Sequence, residues 1–271
     1  MSTRDYSGVP RRTLALLATC CLVFSGTGAV AQEATSSGTG RQLSFVPRYD
    51  FYLSVAALAS DNPRFAWDTH FGGDVDVLAF ADTRVNLVAE YEAVLGTEYR
   101  AFDPNQGNYT LEASVAGRVR QTELAGVLHH VSRHLSDRPK RFAIDWNAAE
   151  VRIRRQLAYS ATTIAIRATV GKIFQRSYVD YDWIGDLDIT ARRQVASRVG
   201  VFARGLCTIF VSDPGTADRT RAGVQLEGGL RLGGRDGATE VFAGYEHRVD
   251  AYPLQRAAEQ WAFAGVRLVS R

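Results

Sequence analysis

Along residues 148–159, Val151, Ile153, Leu157 and Tyr159 occupy one parity, while Glu150, Arg152, Arg154 and Gln156 occupy the other. The same alternation runs through 108–119 (NYTLEASVAGRV) and 220–232, where Val224, Leu226, Leu230 and Leu232 oppose Gln225, Glu227 and Arg231. Successive side chains of a strand point to opposite faces, so each window predicts a strand with one apolar and one charged face. Helical spacing fits worse, and Gly and β-branched residues are too frequent for good helices. Carried along the chain, the pattern predicts twelve strands, near 49–58, 73–81, 84–94, 108–119, 122–134, 145–159, 162–174, 182–193, 197–211, 220–232, 238–249 and 259–269.

The connections alternate in length. Those at 59–72, 95–107, 135–144, 175–181, 212–219 and 250–258 are long, and those near 82, 120, 161, 195 and 235 are short. Outer-membrane barrels have an even number of tilted strands, long outer loops and short periplasmic turns. A soluble sandwich or lipocalin-like barrel is the alternative, but its polar face should be solvated and rich in Lys. Here Lys is scarce, and Arg recurs with Glu and Asp inside the strands. The fold class read from this pattern is all-β, a transmembrane antiparallel β-barrel of about twelve strands whose narrow interior is plugged by charge. The final strand ends Arg267-Leu268-Val269-Ser270-Arg271, without the terminal aromatic residue that many such barrels carry.

The first residues change the picture by adding export. Arg11 and Arg12 precede an apolar run from Leu14 to Phe24, and Ala29-Val30-Ala31 offers a small-x-small cleavage site. That is the form of a secretory signal peptide, which divides the chain into a signal at 1–31 and a barrel at 32–271. Cys20 and Cys21 leave with the signal, so Cys207 remains alone and stability must come from something other than a disulfide. The net charge falls from +3 to about +1, which argues against nucleic acid as a partner and leaves the lipids of the outer membrane of a Gram-negative bacterium.

Candidate chemistry lies in 128–147, LHHVSRHLSDRPKRFAIDWN. Glu123 and Arg133 mark one parity of the fifth strand as lumenal, so His130, Ser132 and His134 point outward with Leu124 and Leu128. In the next strand Val151 and Ile153 mark the outward parity, which Asp145 and Asn147 share. A hairpin turning at Arg138-Pro139 sets Asn147 opposite His130 and Asp145 opposite Ser132. A serine hydroxyl needs a histidine to take its proton, and that histidine needs an amide or carboxylate to fix its tautomer. Ser132 as nucleophile, His130 as base and Asn147 or Asp145 as orienting group satisfy both needs on a lipid-directed face. Backbone donors near the hairpin would supply the oxyanion site. The alternative is an interfacial polar girdle of His130, Ser132 and His134 on a non-catalytic barrel serving structure or transport.

His130-x-Ser132, followed by Ser136-Asp137, Arg141 and Trp146-Asn147, resembles the active-site stretch of the outer-membrane phospholipases A. That resemblance implies a twelve-stranded, calcium-dependent barrel active as a homodimer, with Ser132, His130 and Asn147 as its triad and a lipid ester as substrate. The His-x-Ser pair also resembles that of the outer-membrane lipid A deacylases, whose third member is a glutamate, a place that Asp145 would take here. The run DTHFGGDVDVLAF (68–80), with NYTLEASVAGRV and HHVSRHLSD, is similar to a family of predicted outer-membrane proteins of unknown function.

His129 is a lumenal residue hydrogen-bonded to neighbours. Asp182, Asp186 and Asp188 share a parity, either as calcium ligands or as an acidic ladder answered by Arg192 and Arg204 across the lumen. Asp103-Pro104-Asn105-Gln106-Gly107 is a loop turn. Trp183, Trp261 and Tyr245 are aromatics of the membrane-interface belt.

Overall fold

The structure is a computed structural model that describes residues 42–136, 142–216 and 219–270. The signal peptide expected at 1–31 and the turn expected at Arg138-Pro139 lie outside these residues. The barrel's first six strands are β1 (Ser44–Ala59), β2 (Trp67–Phe80), β3 (Thr83–Gly96), β4 (Asp103–Val119), β5 (Thr122–Leu135) and β6 (Asp145–Tyr159). The second six are β7 (Thr162–Ser177), β8 (Tyr181–Ala196), β9 (Val199–Ser212), β10 (Thr220–Gly233), β11 (Gly237–Arg248) and β12 (Glu259–Ser270). Each pairs antiparallel with its chain neighbours, and β12 closes on β1 from Tyr52↔Val269 to Ala59↔Ala262. The strands end in tight turns of two or three residues on one side, with left-handed backbone at Ala81, Arg120 and Ser160, and in the longer connections on the other.

The distribution of polarity is inverted relative to a soluble sandwich. Val115, Leu128, Val151, Val170 and Leu226 point out and are exposed, whereas Arg152, Glu150, Glu227 and Glu240 are buried inside. Arg152 forks onto Glu112 at 2.7 and 2.8 Å, and Arg267 bridges Glu227 and Glu240 at 2.9 Å. Charges closed off from water need such partners, and an apolar outer band needs lipid. Substituting Val151→Arg at mid-strand is expected to cost about 2–4 kcal/mol. Urea titration of the protein refolded in lipid vesicles measures it, and an unchanged midpoint would contradict a lipid-facing position.

The last long connection fills the barrel mouth. Asp250, Ala251, Tyr252 and Pro253 are buried. Arg133 Nη1 donates to the Asp250 carbonyl and Gln106 Nε2 to the Ala251 carbonyl, each at 2.9 Å, while the Tyr181 hydroxyl donates to the Asp250 carboxylate. Burial pushes the Asp250 carboxyl up from its ordinary range, opposed by Arg133 and Arg256 beside it. Phe65 stacks on Trp261 with ring centroids 5.2 Å apart, extending an apolar cluster under the loops.

Several expectations are corrected. Residues 103–107 are the start of β4 rather than a turn; Asn105 and Gln106 are buried, and the register shift between Val94 and Leu95 accommodates Pro104, which has no amide proton for a ladder. β2 begins at Trp67 instead of 73, and its Gly72 lies under the Tyr52 ring, where a Cβ would stand 2.7 Å from the hydroxyl oxygen. Trp261 is 2 % exposed and faces inward, its Nε1 donating to Glu246 at 3.2 Å. Trp183 and Tyr245 do face out. A bulge between Tyr181 and Trp183 takes Asp182 off the lumenal parity and onto the outward-facing Lys172. Asp188 meets Arg204 at 2.8 Å and Arg167 at 3.2 Å, Asp186 accepts from Thr208 at 2.7 Å, and Arg192 joins neither.

Candidate active site

The β5–β6 hairpin sets His130 opposite Asn147 and Ser132 opposite Asp145 in the antiparallel register. Ala125 and Val127 are buried on the lumenal side of β5 and Leu124 and Leu128 are exposed, so His130, Ser132 and His134 share the outward face. Leu111 is His130's partner on β4, and it too is exposed. Beside the hairpin a shallow depression of about 450 Å³ is lined by Leu87, Leu111, Leu128, His130, Asn147 and Phe174. Glu112 and His129 also border it, but most of its lining is apolar, as a surface for acyl chains would be.

His130 Nδ1 and Asn147 Oδ1 are 2.9 Å apart. An amide oxygen only accepts, so Nδ1 carries the proton and Nε2 keeps the lone pair that a general base uses. Asn147 is held in turn, its Nδ2 donating to Gln175 Oε1 at 3.0 Å. The sequence reading missed Gln175, because its placement depends on a bulge. β6 and β7 pair Asn147 with Gln175 and Ala148 with Ile173, leaving Phe174 extra and returning Gln175 to Asn147's face. His129 faces the lumen, with Nδ1 2.7 Å from Glu150 Oε1.

The serine departs from the expected pairing. Its Oγ meets His134 Nε2 at 3.0 Å rather than His130. Both histidines are two residues away on one face, so strand geometry offers the hydroxyl either neighbour, and a change of χ1 moves it between staggered wells. The Tyr109 ring packs edge-on against His134 at 5.4 Å and holds the imidazole on that side. Parity put His134 on the serine's face, and that is the signal by which the contact could have been found. Asp145 stands opposite Ser132 but makes no hydrogen bond or ion pair among the described residues; Asn147 is the group that meets the imidazole.

The amides of Arg133 and Ser136 donate to the carbonyls of Ile144 and Asn105, so these two do not supply an oxyanion site. Calcium takes six to eight oxygen ligands. At this hairpin the described residues offer one carboxylate, Asp145, beside an Asn147 oxygen already bound to His130, and they do not make a calcium cage by themselves.

A closed, even-stranded barrel with an apolar exterior and a charged interior is an outer-membrane β-barrel. The solved structures agree on the fold. The outer-membrane phospholipase A of Escherichia coli superposes with a TM-score of 0.53 at 9 % identity, over 82 % of this chain and 92 % of its own. The Salmonella typhi outer-membrane phospholipase, a dimer with bound calcium, gives 0.51 at 9 % identity over 82 % and 90 %. By sequence, neither a protein-family model nor a curated protein matches the chain.

Proposed function

We propose that this protein is exported through its signal at 1–31 to the outer membrane of a Gram-negative bacterium, where it hydrolyses acyl esters of membrane lipids. The observation that carries the reading is the His130–Asn147 hydrogen bond, set in register beside Ser132 on the lipid-directed face. Ser132 turns from His134 to His130, whose Nε2 takes the hydroxyl proton as Oγ attacks the ester carbonyl. His130 then returns that proton to the departing alcohol, and water repeats the sequence to release the fatty acid. Asn147, tied to Gln175, keeps the imidazole in the tautomer that both steps need.

Fatty-acid release from phospholipid and from lipopolysaccharide by the refolded protein tests this reading, with and without calcium. Ser132→Ala is expected to abolish release. Equal turnover by both forms would remove the serine from the chemistry and leave a non-catalytic barrel for structure or transport. Preference for lipopolysaccharide would favour the lipid A deacylase alternative. A homodimer belongs to the same proposal, and crosslinking in the membrane before and after adding substrate measures it.

A further inference from the structure

Away from the hairpin, the lumenal faces of β2 and β3 bring together Asp68, His70 and Glu92, whose ligand atoms lie within 4.8 Å of one another. Asp68 is 6 % exposed, and its buried Oδ1 has no hydrogen-bond partner. His70 Nδ1 lies 2.7 Å from Glu90 Oε1, and Nε2 stands 3.1 Å from Asp68 Oδ1. With the Nδ1 proton given to Glu90, the Nε2 lone pair and the Asp68 oxygen are two acceptors face to face. A metal ion between them removes that repulsion, and so does a second proton on the imidazole.

Charge points the same way. Asp68, Glu92 and Glu246 all pair with one guanidinium, Arg248, while Glu90 meets His70 and the Tyr52 hydroxyl. Arg248 takes Asp68 Oδ2, Glu92 Oε1 at 2.7 Å and Glu246 Oε1 at 2.6 Å, which leaves Asp68 Oδ1 facing only His70. Asn108 Nδ2 steadies the second Glu92 oxygen at 2.6 Å. Three carboxylates on one guanidinium in a closed lumen are costly without a further counter-charge.

We propose that Asp68, His70 and Glu92 bind a divalent transition-metal ion of the zinc class inside the barrel. One imidazole and two carboxylates, with water completing the coordination, suit Zn²⁺. A ligating imidazole commonly donates its other nitrogen to a carboxylate, which is Glu90's relation to His70. The ion would join β2 to β3 beneath the filled mouth and supply the charge that Arg248 alone does not.

The test is titration of the metal-stripped, refolded protein with Zn²⁺ by calorimetry and with Cu²⁺ by pulsed electron paramagnetic resonance, which counts imidazole ligands. One equivalent of Zn²⁺ bound and one imidazole on Cu²⁺ are expected. His70→Gln and Asp68→Asn should each weaken binding at least tenfold, while His247→Gln leaves it unchanged. Absence of saturable binding in the wild-type protein overturns the proposal, and so does unchanged binding by a folded His70→Gln. Either result makes a proton on His70, shared between Asp68 and Glu90, the sole extra counter-cation. If a variant fails to refold, the wild-type stoichiometry and imidazole count still decide the matter.

Discussion

Replacing His130 with alanine is expected to lower the turnover of lipid ester by about 10⁶-fold, as loss of the base in other serine triads does. Replacing His134 is expected to cost less than about tenfold on the same scale. The contrast matters because Ser132 Oγ is on His134 in this structure, whereas His130 has the orienting amide. A base held by Asn147 keeps its lone pair on Nε2 throughout the cycle, and the serine can reach it by rotating about one bond. Asn147→Ala should therefore lower kcat with little change in KM, since it disturbs the imidazole and not the bound lipid. Rates for the three variants on one phospholipid substrate decide between the histidines. A larger loss from His134→Ala than from His130→Ala would make His134 the base and reduce Asn147 to a surface contact.

The second large effect concerns stability. Arg267→Met is expected to destabilise the barrel by about 3 kcal/mol, because it leaves Glu227 and Glu240 short of a counter-charge inside the lumen. Arg231 still reaches Glu240 at 2.5 Å, whereas the next guanidinium to Glu227 is Arg204 at 4.0 Å. Glu227 is thus the more exposed to the loss, and Arg267→Met/Glu227→Gln should recover much of the stability. Urea unfolding in lipid vesicles measures both variants. Arg235, on a turn and 94 % exposed, should give no measurable change when replaced by alanine. A single variant as stable as the wild type would mean that the lumen is wet enough to solvate Glu227.

Much of the architecture is legible because period-two alternation is a local property. Val151 and Ile153 against Glu150 and Arg152 mark the lipid and lumen faces of β6 without reference to any other strand. Once two strands are joined as a hairpin, the partners His130↔Asn147 and Ser132↔Asp145 follow from it. The failures fall where alternation is broken or composition misleads. The run Asp103–Gly107 has the residues of a turn, but its polar groups are buried at the mouth of the barrel as the start of β4. Trp261 shares its parity with lumenal Arg267, a sign that its inward position could have been read from the sequence, yet its indole suggested a membrane belt.

By itself, then, the sequence determined the strand number, the inverted polarity of the two faces and the outward placement of His130, Ser132 and Asn147. These depend only on neighbours along one chain segment or across one hairpin. The tertiary structure alone decided that Gln175 supports Asn147, that the serine rests on His134, and that residues 250–253 fill the mouth. It also decided that ligand atoms of Asp68, His70 and Glu92 lie within 4.8 Å of one another. The Gln175 contact turns on the bulge at Phe174, and the filled mouth and Arg248's hold on Asp68 and Glu92 turn on the closed barrel, which brings distant residues together and leaves no periodic signal in the chain. For Ser132, parity offered two histidines and only packing chose between them.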